Sequence, residues 1–190
     1  MRKLTGLLFL PLLCILMPGC KEQAPDPLQQ ALKAYILQGE EGTFQLYRIE
    51  KIDSTTFRTE FERRQNVYEL KLKQENKLYQ DYLSQNKPKN AKRHSEAIVR
   101  TCEIMNGLDS LKAGMAERLD EIAYYDYVFS AKASSDSQYS EVQSAYVSIT
   151  PAYEIITLTE DRKDLHKAGG RAIPGYLEML GKDSEEVEEE

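Results

Sequence analysis

The side chains that could carry chemistry in this chain are few. There are three cysteines, Cys14, Cys20 and Cys102, and two histidines, His94 and His166. Neither histidine falls in an H-E-x-x-H pattern or a Cys-His array, so spacing points to no metal site and to no cofactor. No G-x-S-x-G turn accompanies the serines, and a Ser-His-Asp set therefore has no local signature. His94 reads as an exposed residue near a helix start. Cys102 lies in a helical pattern between Ile98 and Met105 and reads as a small buried hydrophobe rather than a nucleophile. Gly169-Gly170-Arg171 lacks the G-K-[ST] continuation of a phosphate loop and reads as a turn before a terminal helix. No catalytic residue is named on this basis.

Two groups of residues could instead make contacts. The chain has twelve tyrosines and no tryptophan. Tyr124, Tyr125, Tyr127, Tyr139, Tyr146 and Tyr153 fall in segments with strand character, where a half-buried phenol can either pack the core rim or form a binding face. Both readings stay open, and the candidate surface is Tyr124, Tyr125, Tyr127, Tyr146 and Tyr153. The second group is Lys87-Pro88-Lys89-Asn90-Ala91-Lys92-Arg93, the one basic cluster. At a helical turn, Lys89, Lys92 and Arg93 could meet an acidic partner, with an effect mainly on encounter rate.

Cys20 belongs to a different chemistry. Arg2 and Lys3 precede an apolar run from Leu4 to Met17, broken only by Thr5, Gly6 and Pro11. A run of this size suits a signal core and falls short of the roughly 20 residues of a spanning helix. Leu16-Met17-Pro18-Gly19-Cys20 resembles the lipobox of bacterial lipoproteins, in which the cysteine after a small residue is lipidated on sulfur and becomes the mature N-terminus. The resemblance covers the first twenty-odd residues. It implies a signal peptide over 1–19, lipidation at Cys20, and a tether over 20–27 that holds the protein on the cell envelope as an outer-membrane lipoprotein. Glu22, just after the cysteine, leaves open whether it faces the periplasm or the cell surface. One acyl chain binds a membrane reversibly, whereas the two or three of a bacterial lipoprotein hold almost permanently.

Loss of the leader would leave 23 basic against 31 acidic residues, a net charge of −8. Most of that excess sits in 182–190, which carries Asp183 and five glutamates and reads as a disordered acidic tail. An acidic chain of this kind has no general affinity for nucleic acid. Cys102 would be the only remaining thiol besides the lipidated one, so stability must come from packing rather than a disulfide.

These residues must be positioned by the segments between. Pro27–Leu37 has the 3.6-residue period of a helix, and Thr43–Ile52 alternates like a strand. Asp53-Ser54-Thr55-Thr56 offers capping oxygens to a long helix through Phe57, Phe61, Tyr68, Leu72, Tyr79 and Tyr82. Asn86-Lys87-Pro88 breaks it, and residues 90–113 resume the period, which predicts an antiparallel helical hairpin with a kink at Asn106-Gly107. Three strands follow, from Ile122, over 142–149 and over 153–159, with Ser134–Ser137 as a turn and Tyr176–Leu180 as a short helix capping a sheet edge. The fold class is α+β, a long antiparallel helical hairpin packed on a small antiparallel sheet over one domain, 28–181. Cystatin-like and nuclear-transport-factor-like (NTF2-like) curved sheets share this order as fold-level analogy, which fixes no function.

Two function classes remain. The favoured one is a non-catalytic envelope lipoprotein that binds a protein, glycan or small ligand through the tyrosine face or the hairpin tip. The alternative is an envelope-polymer hydrolase with two carboxylates facing each other across a cleft, about 5 to 9.5 Å apart if it cuts glycosides.

Overall fold

The computed structural model describes residues 26–135 and 139–181; residues 1–25, 136–138 and 182–190 and the side chains of 139–143 lie outside the described residues, and with them the expected leader, the expected lipidation at Cys20, and the expected tether, turn and acidic tail. The chain folds as α+β. In order come α1 (Pro27–Ile36), β1 (Gly42–Thr56), α2 (Phe57–Ser84), α3 (Pro88–Gly114), β2 (Ile122–Ser135), β3 (Tyr139–Ile149), β4 (Ile155–Thr159) and the short α4 (Tyr176–Leu180). Single turns of 3-10 helix fill Ala116–Arg118, Arg162–Asp164 and Gly169–Ala172.

Local chemistry sets the boundaries. The Leu28 amide donates to the Asp26 carboxylate at 3.0 Å, and Pro27 takes a first-turn position where no amide hydrogen is needed. Gln38 and Gly39 then adopt positive φ, 50° and 82°, and stop the helix. Thr56 caps α2 by accepting from the Thr59 amide at 3.3 Å. Asp53-Ser54-Thr55, expected to share that capping, instead continue β1 up to the helix. Asn86 takes φ 54° in the turn to α3, and Pro88 opens the new helix. Gly107 leaves α3 unbroken; it lets the Met179 side chain of α4 close in, where an added Cβ would lie 2.5 Å from Sδ.

All four strands pair antiparallel in the order β1-β2-β3-β4, so β1 joins the expected meander as a fourth member. Shifts of register between Leu46 and Arg48 and between Lys51 and Asp53 bend β1. The sheet separates two cores. On one face Leu28 and Leu32 of α1 meet Phe129, Ala131, Ala145, Val147 and Ile149. On the other, Phe57 and Phe61 of α2, Leu108 of α3, Tyr124 of β2, Ile156 of β4, and Ile173 and Tyr176 close together. Burial of each leucine, isoleucine, valine or phenylalanine among them contributes about 1.5–3 kcal/mol.

The hairpin joins this second core only at its base. Neither core takes a side chain from residues 69–103, and there α2 and α3 pack on each other, with Ala91 buried and Leu72, Leu78, Tyr82 and Ile98 half-buried. At roughly 1.5 Å per residue the arm carries its tip about 40 Å from the start of α2. Its base is pinned to the sheet by Phe57 N–H to Glu121 O at 3.1 Å and Arg58 N–H to Leu119 O at 2.8 Å. The helix at 176–180 does not cover a sheet edge as expected. It lies against α3 and the base of the arm, with the Tyr68 and Tyr176 hydroxyls 3.0 Å apart.

Candidate functional site

A buried polar cluster lies where α2 crosses the end of β2. Glu60 sits one turn into α2 on the same stripe as Phe57, Phe61 and Arg64, so the spacing that buries the phenylalanines buries the carboxylate too. Its two oxygens face Arg63 Nη1 at 2.6 Å and Arg64 Nε at 2.7 Å, the latter an ion pair whose N–H is not aimed along the bond. Tyr124 donates its hydroxyl to Glu60 Oε2 at 2.7 Å and accepts from Arg63 at 2.5 Å. Arg64 also donates to the carbonyls of Lys167, at 2.9 Å, and of His166. These bonds clamp the segment after β4 over the cluster. Gly169 lets that segment close, since a Cβ there would stand 2.7 Å from Glu60 Oε1. Burial pushes the Tyr124 phenol well above its ordinary range and the neighbouring Glu60 carboxylate adds to this, against smaller opposing effects of Thr55 and Arg63.

Asp126, two residues on and also fully buried, accepts from Ser148 Oγ at 2.5 Å through Oδ1. Its Oδ2 has no hydrogen bond and faces His166 Nδ1 at 3.9 Å. His166 Nδ1 is also 3.4 Å from the Tyr124 oxygen. Tyr124 donates its proton to Glu60, so His166 Nδ1 lies between two oxygens, the Tyr124 hydroxyl and Asp126 Oδ2. The His166 side chain is 36% exposed. A serine, a histidine and an aspartate thus meet in space, wired differently from a hydrolytic triad: the buried serine donates to the aspartate rather than to the histidine. The alternative of paired carboxylates finds two buried acids here, Glu60 and Asp126, linked through Tyr124 and His166. Both are closed to a polymer, and Glu60 is committed to two guanidinium groups.

The five candidate tyrosines do not form one surface. Tyr124 is wholly buried and belongs to the cluster above, a correction to its place on a contact face. Tyr146 pairs with Val128 and so lies on the sheet face opposite Tyr125 and Tyr127. Tyr125, Tyr127 and Tyr153 do converge, with Leu28, Ile149 and Pro151, around an open cleft of about 210 Å³ at the first turn of α1. The Tyr125 and Tyr127 rings meet edge to face at 6.4 Å, and Lys51 Nζ lies 3.9 Å above the Tyr125 ring. Burial raises the Tyr127 phenol's pKa, with Tyr125, Tyr153 and Asp26 adding to the effect. Tyr153 ends the turn Thr150–Tyr153, closed by its amide on Thr150 O at 2.9 Å, and holds φ 66°, a conformation suited to glycine.

Lys89, Lys92 and Arg93 are exposed at the arm tip, with Lys92 in a loose 3.8 Å pair with Glu96. The length of the arm keeps them apart from the tyrosine cleft. His94 is not exposed as expected: it is held in the helical seam, Nδ1 to Glu75 Oε2 at 2.6 Å, with the Tyr82 ring stacked on it at 5.2 Å. Such a pair inside a coiled-coil seam fixes register. Cys102 is exposed; Thr101 beside it takes the buried seam position and satisfies its hydroxyl on Ala97 O at 2.8 Å. Among the described residues no group of three or more His, Cys, Asp or Glu side chains could hold a metal ion, and no helix is long and apolar enough to cross a membrane.

The Glu60 cluster escaped the sequence reading because charged residues on a long helix look like its solvated face. One signal was available: Glu60 and Arg64 recur at four-residue spacing in register with Phe57, Phe61 and Tyr68. Compared with known protein families, curated proteins and solved structures, the chain matches none of them, so the fold analogies stay analogies and the site must be argued from its own geometry.

Proposed function

We propose that the chain is an exported lipoprotein, held on the cell envelope through Cys20, whose folded part binds a partner and does not transform it. The lipobox-like leader supports the anchoring. The observation that carries the binding role is the arm: residues 69–103 serve neither core, yet they form a register-locked hairpin that presents Lys87, Lys89, Lys92 and Arg93. A structure that adds nothing to the cores and ends in four cations suits capture of an acidic protein or glycan. The interior carboxylates support the same reading, because Glu60 is held by Arg63, Arg64 and Tyr124 and Asp126 is buried.

The test combines two variants in the source bacterium. Cys20→Ala is fractionated beside the native protein, and a photo-crosslinking amino acid replaces Lys89. The proposal expects loss of membrane association in the first and a discrete crosslinked band in the second, absent when the same probe replaces Lys163. A Cys20→Ala protein that stays with the membranes would refute the anchor. A smear equal at both probe positions would refute the arm as the binding element. Digestion of intact against lysed cells then tells surface from periplasm.

A further inference from the structure

We infer that the cleft formed by Tyr125, Tyr127 and Tyr153 is a contact for the headgroup layer of the bilayer that carries the protein. This deepens the lipoprotein reading above and rests on it. Position is the first argument. Leu28 borders the cleft, Asp26 caps the same helix, and only five residues separate Asp26 from Cys20. Even fully extended they span about 20 Å, so a lipid on Cys20 keeps the cleft within that distance of the membrane surface.

Chemistry is the second argument. A phenol has an apolar ring and a polar tip, and tyrosine is enriched where hydrocarbon gives way to headgroups. Three such rings converge on a cleft that also offers Leu28, Ile149 and Pro151. Lys51 adds an ammonium above Tyr125, placed to meet lipid phosphate while its stem stays along the ring.

Strain is the third. Tyr153 holds φ 66° while 47% exposed. A side chain larger than glycine's is disfavoured in that conformation, and a half-exposed ring recovers little of the loss from the protein's own packing. Asparagine or glycine would fit the turn without that cost. A ring kept there against the backbone's preference is a ring with a partner outside the chain.

The absence of tryptophan gives a clean test. Tyr153→Trp and, as control, Tyr47→Trp, an exposed β1 position four residues before the Lys51 that pairs with Tyr127, are purified as the full lipidated chain and reconstituted in phosphatidylcholine–phosphatidylglycerol vesicles with and without brominated acyl chains. Tyr125→Trp serves as a second reporter if Tyr153→Trp fails to fold by circular dichroism. The expected result is a blue-shifted emission and about twofold quenching by brominated lipid at the cleft, with neither at Tyr47→Trp. Vesicle-bound protein with both reporters unquenched would overturn the cleft contact and leave the anchor standing. Equal quenching at both would overturn it too, since the cleft would then be nothing special. Protein that fails to float with the vesicles would remove the lipoprotein reading and this inference with it. A shift on adding soluble peptidoglycan fragments without vesicles would assign the cleft to glycan instead.

Discussion

Replacing Glu60 by glutamine removes one charge from the centre of the buried cluster and leaves its shape almost unchanged. Glutamine can still accept from the Tyr124 hydroxyl, but its amide NH2 must then face a guanidinium, donor against donor. Arg63, whose side chain is 28% exposed, can turn to water; Arg64, at 10%, is held by the carbonyls of Lys167 and His166 and cannot. The loss therefore concentrates on one buried, unpaired cation, and breaking such a pair costs about 3–5 kcal/mol. A domain of ordinary stability, about 5–15 kcal/mol, would survive this with a much-reduced margin. Urea denaturation followed by far-ultraviolet circular dichroism reads it directly: at about 1–3 kcal/mol per molar urea the midpoint should fall by more than 1 M. Glu62→Gln, an exposed neighbour on the same helix, should stay within about 0.5 kcal/mol of the native protein. If Glu60→Gln behaves like Glu62→Gln, the cluster is not the brace described above.

Two further outcomes follow from the same region. Tyr124 and Tyr176 both have phenol pKa values raised above the unfolded value of about 10, chiefly by burial, so their contribution is complete below pH 10 and is lost as the pH climbs above it, where only the unfolded chain ionises. Spectrophotometric titration near 295 nm should show these two phenols ionising only with loss of the far-ultraviolet signal, and full ionisation of every described tyrosine in the folded state would contradict it. Gly169→Ala should cost about 1–3 kcal/mol, because the new Cβ meets the Glu60 carboxylate at 2.7–2.9 Å and that carboxylate is fixed on three sides. An unchanged melting temperature would show that the segment after β4 can move away freely.

Much of the secondary structure could be read from local patterns. Pro27 marked the start of α1, Phe57 the start of α2, and Asn86–Pro88 the turn, because capping oxygens and proline act within a few residues. The end of β1 could not be read this way. Asp53-Ser54-Thr55 lie on an edge strand, where apolar alternation fades, and their hydroxyl and carboxylate groups suit a cap equally well. Cys102 and His94 were misplaced for one reason: a helical stripe fixes the seam only to within a residue, and Thr101 and Glu75 decided it through partners on other turns. The cluster itself joins residues 60, 124, 126, 148 and 166, and sequence spacing carries no trace of such a meeting. The convergence of Tyr125 and Tyr127 with Tyr153 likewise came from the β3–β4 turn, whereas the pattern alone grouped them with Tyr124 and Tyr146.

The placement of the arm between two neighbouring strands bears on how the chain finds its fold. Thr56 pairs with Ile122, so the first contact between β1 and β2 closes a loop of about 65 residues, an entropic cost that grows by about 0.6 kcal/mol per doubling of length. The arm shortens that search. Its contacts run between chain neighbours across the turn at Asn86, and helical hairpins of this kind zip far faster than strands separated along the chain. Once it has zipped, Thr56 and Ile122 lie at the two ends of one rigid unit, and the effective loop falls to a few residues, a saving of about three doublings, or roughly 2 kcal/mol on the path to the sheet. The segment that contributes least to the finished cores would thereby act earliest in assembling them.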